Sequence, residues 1–403
     1  MKMSGKNKLA IDGGQPVRKD FLPFHRPWFG PEEEKEIIDV LRSGWITKSK
    51  RTVEFEKRFG EYTGAKYAVG LNSCTAGLHL ALLALGIGPG DEVITTPITF
   101  PATANVIEHV GAKPVFADVL PGDLNINPDE IAKKITARTK AIMPVHFLGM
   151  PCDMDRIFAL AKEHGLAVVE DAAHAVETMY KGRKVGNLGS AATCFSFYAT
   201  KNITTGEGGM LCTNDEKTDE MVRMLSLHGI SRDAWKRYSL EGYRHWETMY
   251  AGFKYNMFDL QAALGLVQLN KVDMFWERRK EIVTRYNNAF SDEPALRLLS
   301  TSPDNKQAYH LYVLVIKTET LSADRDKVME AVQAEGVGIG IHFRSVAQQH
   351  FYREKYGYVM GSMPNAEYAT ERVLSVPLFP AMTDQEADDV IEVVRKVIDF
   401  YRK

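Results

Sequence analysis

An α/β fold with a mostly parallel sheet, covered by helices on both faces, is predicted by two features of this 403-residue chain. Short apolar runs alternate with helical patterns through its middle. Those runs are continuously hydrophobic, as strands buried on both faces are, and do not alternate in the manner of a half-exposed sheet. The length also suffices for a large core and two domains in contact.

Taken in order, Tyr67–Leu71 ("YAVGL") reads as a strand and Thr75–Leu85 as a helix, closed by the Gly/Pro-rich turn 85–90. Asp91–Thr95 is a strand, Ala102–His109 a helix and Pro114–Asp118 a strand. "TKAIMPVHF" (139–147) is a strand, Asp153–His164 a helix and "LAVVED" (166–171) a strand. Ala192–Tyr198 is a further buried run that leads directly to Lys201 and a Thr/Gly-rich turn. Past residue 270 a long charged helix starts near Val272. It is followed by strand 310–316, helix 323–335, a glycine-spaced strand "GVGIGIHF" (336–343) and a last helix from Thr383. This predicts a large domain over 30–270 and a smaller, less parallel α/β domain over 271–403, with 1–29 packing against the smaller one.

Bulk composition excludes several classes. Net charge is −2 with no basic block, which argues against nucleic acid and a membrane surface. The basic start is not followed by an apolar stretch, so no signal peptide is expected. No apolar run reaches the roughly 18–20 residues of a membrane span. Cys74, Cys152, Cys194 and Cys212 form no C-x-x-C pair, which argues against structural zinc and a disulfide framework. "CDMD" (152–155) reads as an acidic helix start, not a metal site. The expected compartment is the cytoplasm.

Three groups fall where ligands bind in such sheets, at strand carboxyl ends. "NSCTAG" (72–77) opens a helix with small residues and hydroxyls, Ser73 and Thr75 among them. It is either an N-cap or an anion cradle. Asp171 ends a very apolar strand, as a cap or as a partner for a cationic ring. Lys201 follows a buried run, where an amine is costly unless it is paired or used. One ligand satisfies all three: pyridoxal 5'-phosphate (PLP). Its phosphate suits the helix start, its ring nitrogen suits the carboxylate, and its aldehyde suits the lysine as a Schiff base. His146 and His310 read as packed core histidines. The glycines 336-338-340 lack the spacing of a dinucleotide fingerprint.

The segments "EDAAHA" (170–175), "SFYATKNITTGEGG" (196–209), "TPITFPATAN" (96–105) and "SGWITKSK" (43–50) resemble the DegT/DnrJ/StrS family of PLP-dependent sugar aminotransferases, from about Phe21 to Pro380. Within it, 227–237, 252–269, 340–345 and 376–383 are most similar to the branch forming UDP-4-amino-4-deoxy-L-arabinose for lipid A modification. The resemblance implies fold type I of PLP enzymes. It implies Lys201 as the Schiff-base lysine and proton carrier, and Asp171 as the partner of the ring nitrogen. Ser73, Thr75, Ala76 and Ser196 would hold phosphate. Phe100 would stack on the ring, at a position where that branch carries tryptophan, and His174 would touch the ring hydroxyl. Asn256, at an amphipathic helix start, would reach the neighbouring subunit's cofactor, which makes the enzyme a homodimer. His342, Arg344 and Tyr198 are candidates for substrate contact.

The function implied is ping-pong transfer of an amino group from L-glutamate to the ketone of a nucleotide-linked 4-keto-sugar, through pyridoxamine phosphate, for amino-sugar, envelope polysaccharide or lipid A synthesis. The competing readings are a PLP-dependent sugar dehydratase, whose branch replaces the lysine with histidine, and a non-catalytic regulatory protein. Lys201 and Asp171 are both present and weigh against each.

Overall fold

The computed structural model describes residues 8–230 and 247–403. Residues 231–246, and with them most of the segments 227–237 and 237–252, lie outside it.

The first nine strands are β1 (Tyr67–Leu71), β2 (Glu92–Thr95), β3 (Lys113–Phe116), β4 (Thr139–Met143), β5 (Ala167–Asp171), the hairpin β6 (Met179–Tyr180) and β7 (Arg183–Lys184), β8 (Ala192–Ser196) and β9 (Gly209–Thr213). All but the hairpin form one sheet in the order β1-β9-β8-β5-β4-β2-β3. Every neighbouring pair is parallel except the two that involve β9. β1, β8 and β5 therefore run the same way, and their carboxyl ends open on one edge. This is the geometry that brings 72–76, Ser196 and Asp171 together.

Helices cover both faces because the strands offer apolar side chains to both. On one side Phe55 and Phe59 of helix Lys50–Thr63 meet Phe195 and Phe197, with ring centroids 5.1–5.3 Å apart. Edge-to-face and tilted aromatic pairs at this spacing add to simple burial. On the other side helix Cys74–Ala84 packs on Val69, Val93, Val169 and Leu211.

The second sheet is antiparallel: β10 (Leu296–Leu298), β11 (Tyr312–Ile316) and β12 (Val373–Val376). Its core includes Leu9 and Leu22 from the N-terminal segment, together with Val390, Val394 and Val397 of the last helix. That helix, Asp384–Tyr401, starts as expected. Thr383 accepts from the Glu386 N–H (3.1 Å), and the Glu386 carboxylate accepts from the Thr383 N–H (2.8 Å).

Several expectations about elements change. The long helix begins at Asp259, not Val272, and runs 32 residues, with its first half in the core of the large sheet and its second in that of the small one. Asn256 consequently precedes the helix; it is extended and bridges Leu71. The 139–147 run stops pairing regularly at Pro144, which has no N–H for the ladder. Residues 336–343 form isolated bridges only, to Leu22 on one side and to Ser375 on the other. Gly338 is required there, since a Cβ would lie 2.5 Å from the Phe24 nitrogen. Finally, β9 itself was unassigned. It is the return strand of the Thr/Gly-rich turn, wedged between β8 and β1.

Candidate active site

Ser73 caps helix Cys74–Ala84, its Oγ accepting the Ala76 N–H at 3.1 Å. The cap reading is thus realised, yet the N–H groups of Cys74 and Thr75 still belong to a helix start with no internal partner. This short-residue turn sits against Gly209 of β9. A Cβ at Gly209 would come within 2.3 Å of the Ser73 carbonyl carbon and 2.4 Å of the Cys74 nitrogen. Gly209→Ala should therefore push the helix start outward, at a cost of roughly 1–3 kcal/mol for overpacking. PLP retention should fall at least tenfold, read by equilibrium dialysis, while circular dichroism stays native.

Asp171 closes β5 and is buried. Its Oδ2 accepts from the Thr103 hydroxyl (2.7 Å) and its Oδ1 from the Ala173 N–H (3.1 Å), with Cys74 Sγ 4.0 Å away. Burial pushes the carboxyl above the ordinary aspartate range, opposed by those donors and by Lys201. Among the described residues no side-chain cation touches it, so these residues hold a carboxylate without its counter-charge.

Lys201 lies in the turn after β8, its N–H donating to the Tyr198 carbonyl (2.9 Å). Burial pulls its amine down to about 8, with Asp171 and Cys74 pulling the other way. Its Nζ is 3.5 Å from His310 Nε2. The His174 ring lies 4.3 Å from the His310 ring and 5.9 Å, stacked, from Phe343. Among the described residues His174 Nδ1 is buried without a partner, and burial, then the Lys201 charge, hold its pKa well below the ordinary histidine value.

The remaining candidates fall around this centre. Ser196 ends β8, accepting the Tyr198 N–H at 3.3 Å. Phe100 is 61% exposed, a free aromatic face whose ring lies 6.2 Å from Phe343. His342 is pinned, Nδ1 2.8 Å from Ser375 Oγ and its ring on Phe24. Tyr198 and Arg344 are exposed. Asn256 is buried; its Nδ2 donates to the Met257 carbonyl (3.0 Å) and its Oδ1 accepts from Lys254 Nζ (2.5 Å).

His146 is the core histidine expected, 2.7 Å from Glu170, with its Nδ1 accepting the Cys152 N–H. His310 is equally buried but faces Lys201, which the sequence reading did not anticipate. Thr103, Asn202 and Phe343 were also missed. Only Asn202, next to the lysine, carried a signal along the chain.

These residues fit PLP. An uncompensated carboxylate suits a pyridinium, an orphaned histidine nitrogen suits a ring substituent, and a helix start held open by a glycine suits a phosphate. The buried amine of lowered basicity suits an aldehyde.

The match to the DegT/DnrJ/EryC1/StrS aminotransferase family spans residues 28–395. The spore coat polysaccharide biosynthesis protein SpsC of Bacillus subtilis is 50% identical over 382 residues, covering 94% of this chain and 98% of its own. Among solved structures, Spr1654 of Streptococcus pneumoniae in its PMP form superposes with a TM-score of 0.88 at 33% identity, covering 94% and 99% of the two chains. DesI, solved in the presence of its TDP-sugar product, gives 0.85 at 30%, covering 96% and 95%. With matches of this length and closeness, the chain belongs to the DegT/DnrJ/EryC1/StrS family of PLP-dependent sugar aminotransferases of fold type I.

Proposed function

We propose that this sugar aminotransferase takes the amino group of L-glutamate and delivers it to the ketone of a nucleotide-linked 4-keto-sugar. The observation that carries the chemistry is the convergence of Lys201, Asp171 and the Ser73–Ala76 helix start on one edge of the sheet. A nucleotide-linked substrate is supported by DesI, solved in the presence of its TDP-sugar product. An envelope polysaccharide as destination is supported by SpsC. Four buried free thiols suit a reducing cytoplasm.

When bound, PLP supplies a carbon for the incoming amine and a cationic ring that takes up the electron pair left by a departing proton. The chain's residues do the rest. The N–H groups at Cys74 and Thr75, with the hydroxyls of Ser73, Thr75 and Ser196 and the close backbone at Ala76, hold phosphate. Asp171 keeps the ring nitrogen protonated. His174 supports the ring edge and Phe100 covers the open face. Lys201, neutral for a sizeable fraction of the time near pH 8, accepts a proton at Nζ and returns it. His342, Arg344 and Tyr198 are assigned to the sugar nucleotide. L-Glutamate added to the holoenzyme should bleach the visible absorbance of lysine-bound PLP and release one equivalent of 2-oxoglutarate. An unchanged spectrum would exclude glutamate as donor.

The working unit is a homodimer. Trp45, Ile46 and Phe258 are 60%, 52% and 38% exposed. Asp259 ties their two segments together, its carboxylate accepting the Ser49 N–H at 2.7 Å and its N–H donating to the Thr47 carbonyl at 3.2 Å. An apolar face of this kind beside Asn256 suits a second copy. Asn256 then serves the partner's phosphate. Asn256→Ala should weaken PLP binding about tenfold, as expected for one hydrogen bond to a charged group. Mixing Lys201→Ala with Asn256→Ala subunits should recover activity, because one site of the heterodimer is intact. Full PLP affinity in Asn256→Ala, or an active monomer in sedimentation, contradicts the shared site.

A further inference from the structure

Behind Lys201 runs a buried chain of side chains. Lys201 Nζ lies 3.5 Å from His310 Nε2, and His310 Nδ1 lies 2.9 Å from Asn202 Oδ1. Asn202 Nδ2 donates both to Glu177 Oε2 (2.7 Å) and to the Ala308 carbonyl (2.8 Å). A backbone carbonyl can only accept, so the amide of Asn202 has one orientation, with Nδ2 toward Ala308 and Oδ1 toward the histidine. His310 must then donate from Nδ1, which leaves a lone pair on Nε2. That lone pair faces the lysine.

The histidine is also anchored through its backbone. Arg279, fully buried, donates from Nη1 to the carbonyls of His310 (3.2 Å), Tyr309 (3.3 Å) and Leu378 (2.9 Å). Tyr309 sits at φ +51°, a left-handed conformation that a non-glycine residue adopts only when its surroundings impose it. Taking Lys201 as the reactive amine, as argued above, we infer that Glu177, Asn202 and Arg279 position His310 as a fixed hydrogen-bond acceptor for Lys201. It receives an N–H of the lysine in either protonation state and so supports the ammonium form while Nζ holds the proton in transit. His310 is a positioning residue; it acts through the lysine.

Other groups also face the lysine. Asp171 and Cys74 favour its charged form, while burial opposes it. The imidazoles of His25, His174, His310 and His342 all lie within its field, and burial keeps each of them neutral. Arg279 faces His310 and His25. A neutral acceptor stabilises an ammonium more than an amine, whereas a ring N–H directed at Nζ would do the reverse. The direction of the shift on removing His310 therefore reports which nitrogen carries its proton.

The test is a titration of Lys201 by carbon-13 NMR, in full-length protein labelled at the lysine ε-carbon and loaded with pyridoxamine phosphate, which leaves the amine free. Lys201→Arg identifies the resonance. His310→Phe should lower the midpoint by about one pH unit, the size expected for losing a hydrogen bond to a charged group. His310→Gln, whose Oε1 stands where Nε2 stood, should keep the wild-type midpoint. Asn202→Leu, which frees the ring to hold its proton on either nitrogen, should lower it by a smaller amount. This variant also gives the reading if His310→Phe does not fold. A raised midpoint in His310→Phe would show that Nε2 carries the proton, and an unchanged one that no coupling exists; either overturns the inference. The titration needs no sugar substrate, so failure of the proposed amination reaction would leave it readable.

Discussion

Lys201→Ala is expected to remove transamination almost entirely, with a loss of at least about 10⁴-fold in kcat, the upper range for deleting a general acid–base group. The substitution removes the amine proposed to meet the cofactor's aldehyde and to carry the proton. It leaves Ser73, Thr75, Ser196 and Asp171 in place, so cofactor binding should persist more weakly, without the visible absorbance of lysine-bound PLP. Folding should not suffer. The amine is pulled down to about 8 by burial, so its charged form is disfavoured by the fold. A depressed lysine pKa means that the folded state binds its proton less tightly than the unfolded state does. Its effect is destabilising below about pH 8 and fades as pH rises toward the unfolded value near 10.5. The alanine variant should therefore melt at or above the wild-type temperature at pH 7, in cofactor-free protein measured by scanning calorimetry. Wild-type turnover in this variant would remove Lys201 from the mechanism.

Asp171→Asn is expected to lower kcat by about 10²–10³, the range for removing one preorganised electrostatic partner. Asparagine keeps the shape: its one oxygen can accept the Ala173 N–H while its amide N–H donates to the Thr103 hydroxyl, which can turn its own proton to the Phe100 carbonyl. It lacks the anion proposed to hold the ring nitrogen protonated. Stability runs the other way. The folded pKa of Asp171 is raised by burial, so the folded state gains from the protonated acid at low pH and loses that gain as pH rises through the raised pKa. Near neutral pH the wild-type carboxylate is therefore a liability that asparagine relieves, and cofactor-free Asp171→Asn should melt no lower than wild type. Such a trade of stability for function is common at active sites. A loss of activity below about twofold would reduce Asp171 to the structural cap that its hydrogen bonds alone would allow.

The parallel strands were legible because each is a short, uninterrupted apolar run followed by a helix, a pattern that constrains topology as well as element type. β9 was harder. "GMLCT" has no helix after a crossover; it returns through a turn, and its pairing with β1 spans well over a hundred residues of chain. Asn256 reads as a helix start, but the local pattern does not show that Lys254–Met257 first runs extended beside Leu71 and Asn72. Asp171 and Lys201 could be read since a charged group at the end of a buried run is costly wherever it occurs. His310 had no such signature. A histidine before an apolar strand looks like any core histidine, and its closeness to Lys201 arises from packing across 109 positions. Glu177 shares that difficulty, and Asn202 was marked only by its place beside the lysine, since both act through the tautomer they impose.

The proposed reaction is tested most directly by following nitrogen. Purified protein, reconstituted with PLP, is given L-glutamate labelled with nitrogen-15 and a panel of UDP-, TDP-, GDP- and CMP-linked 4-keto-sugars, and the products are read by mass spectrometry. One member of the panel should gain a labelled amine in place of its ketone oxygen, with one 2-oxoglutarate formed for each amino sugar. A product that has lost a hydroxyl without gaining the label, or a panel returned unchanged by protein that binds PLP, would contradict the account.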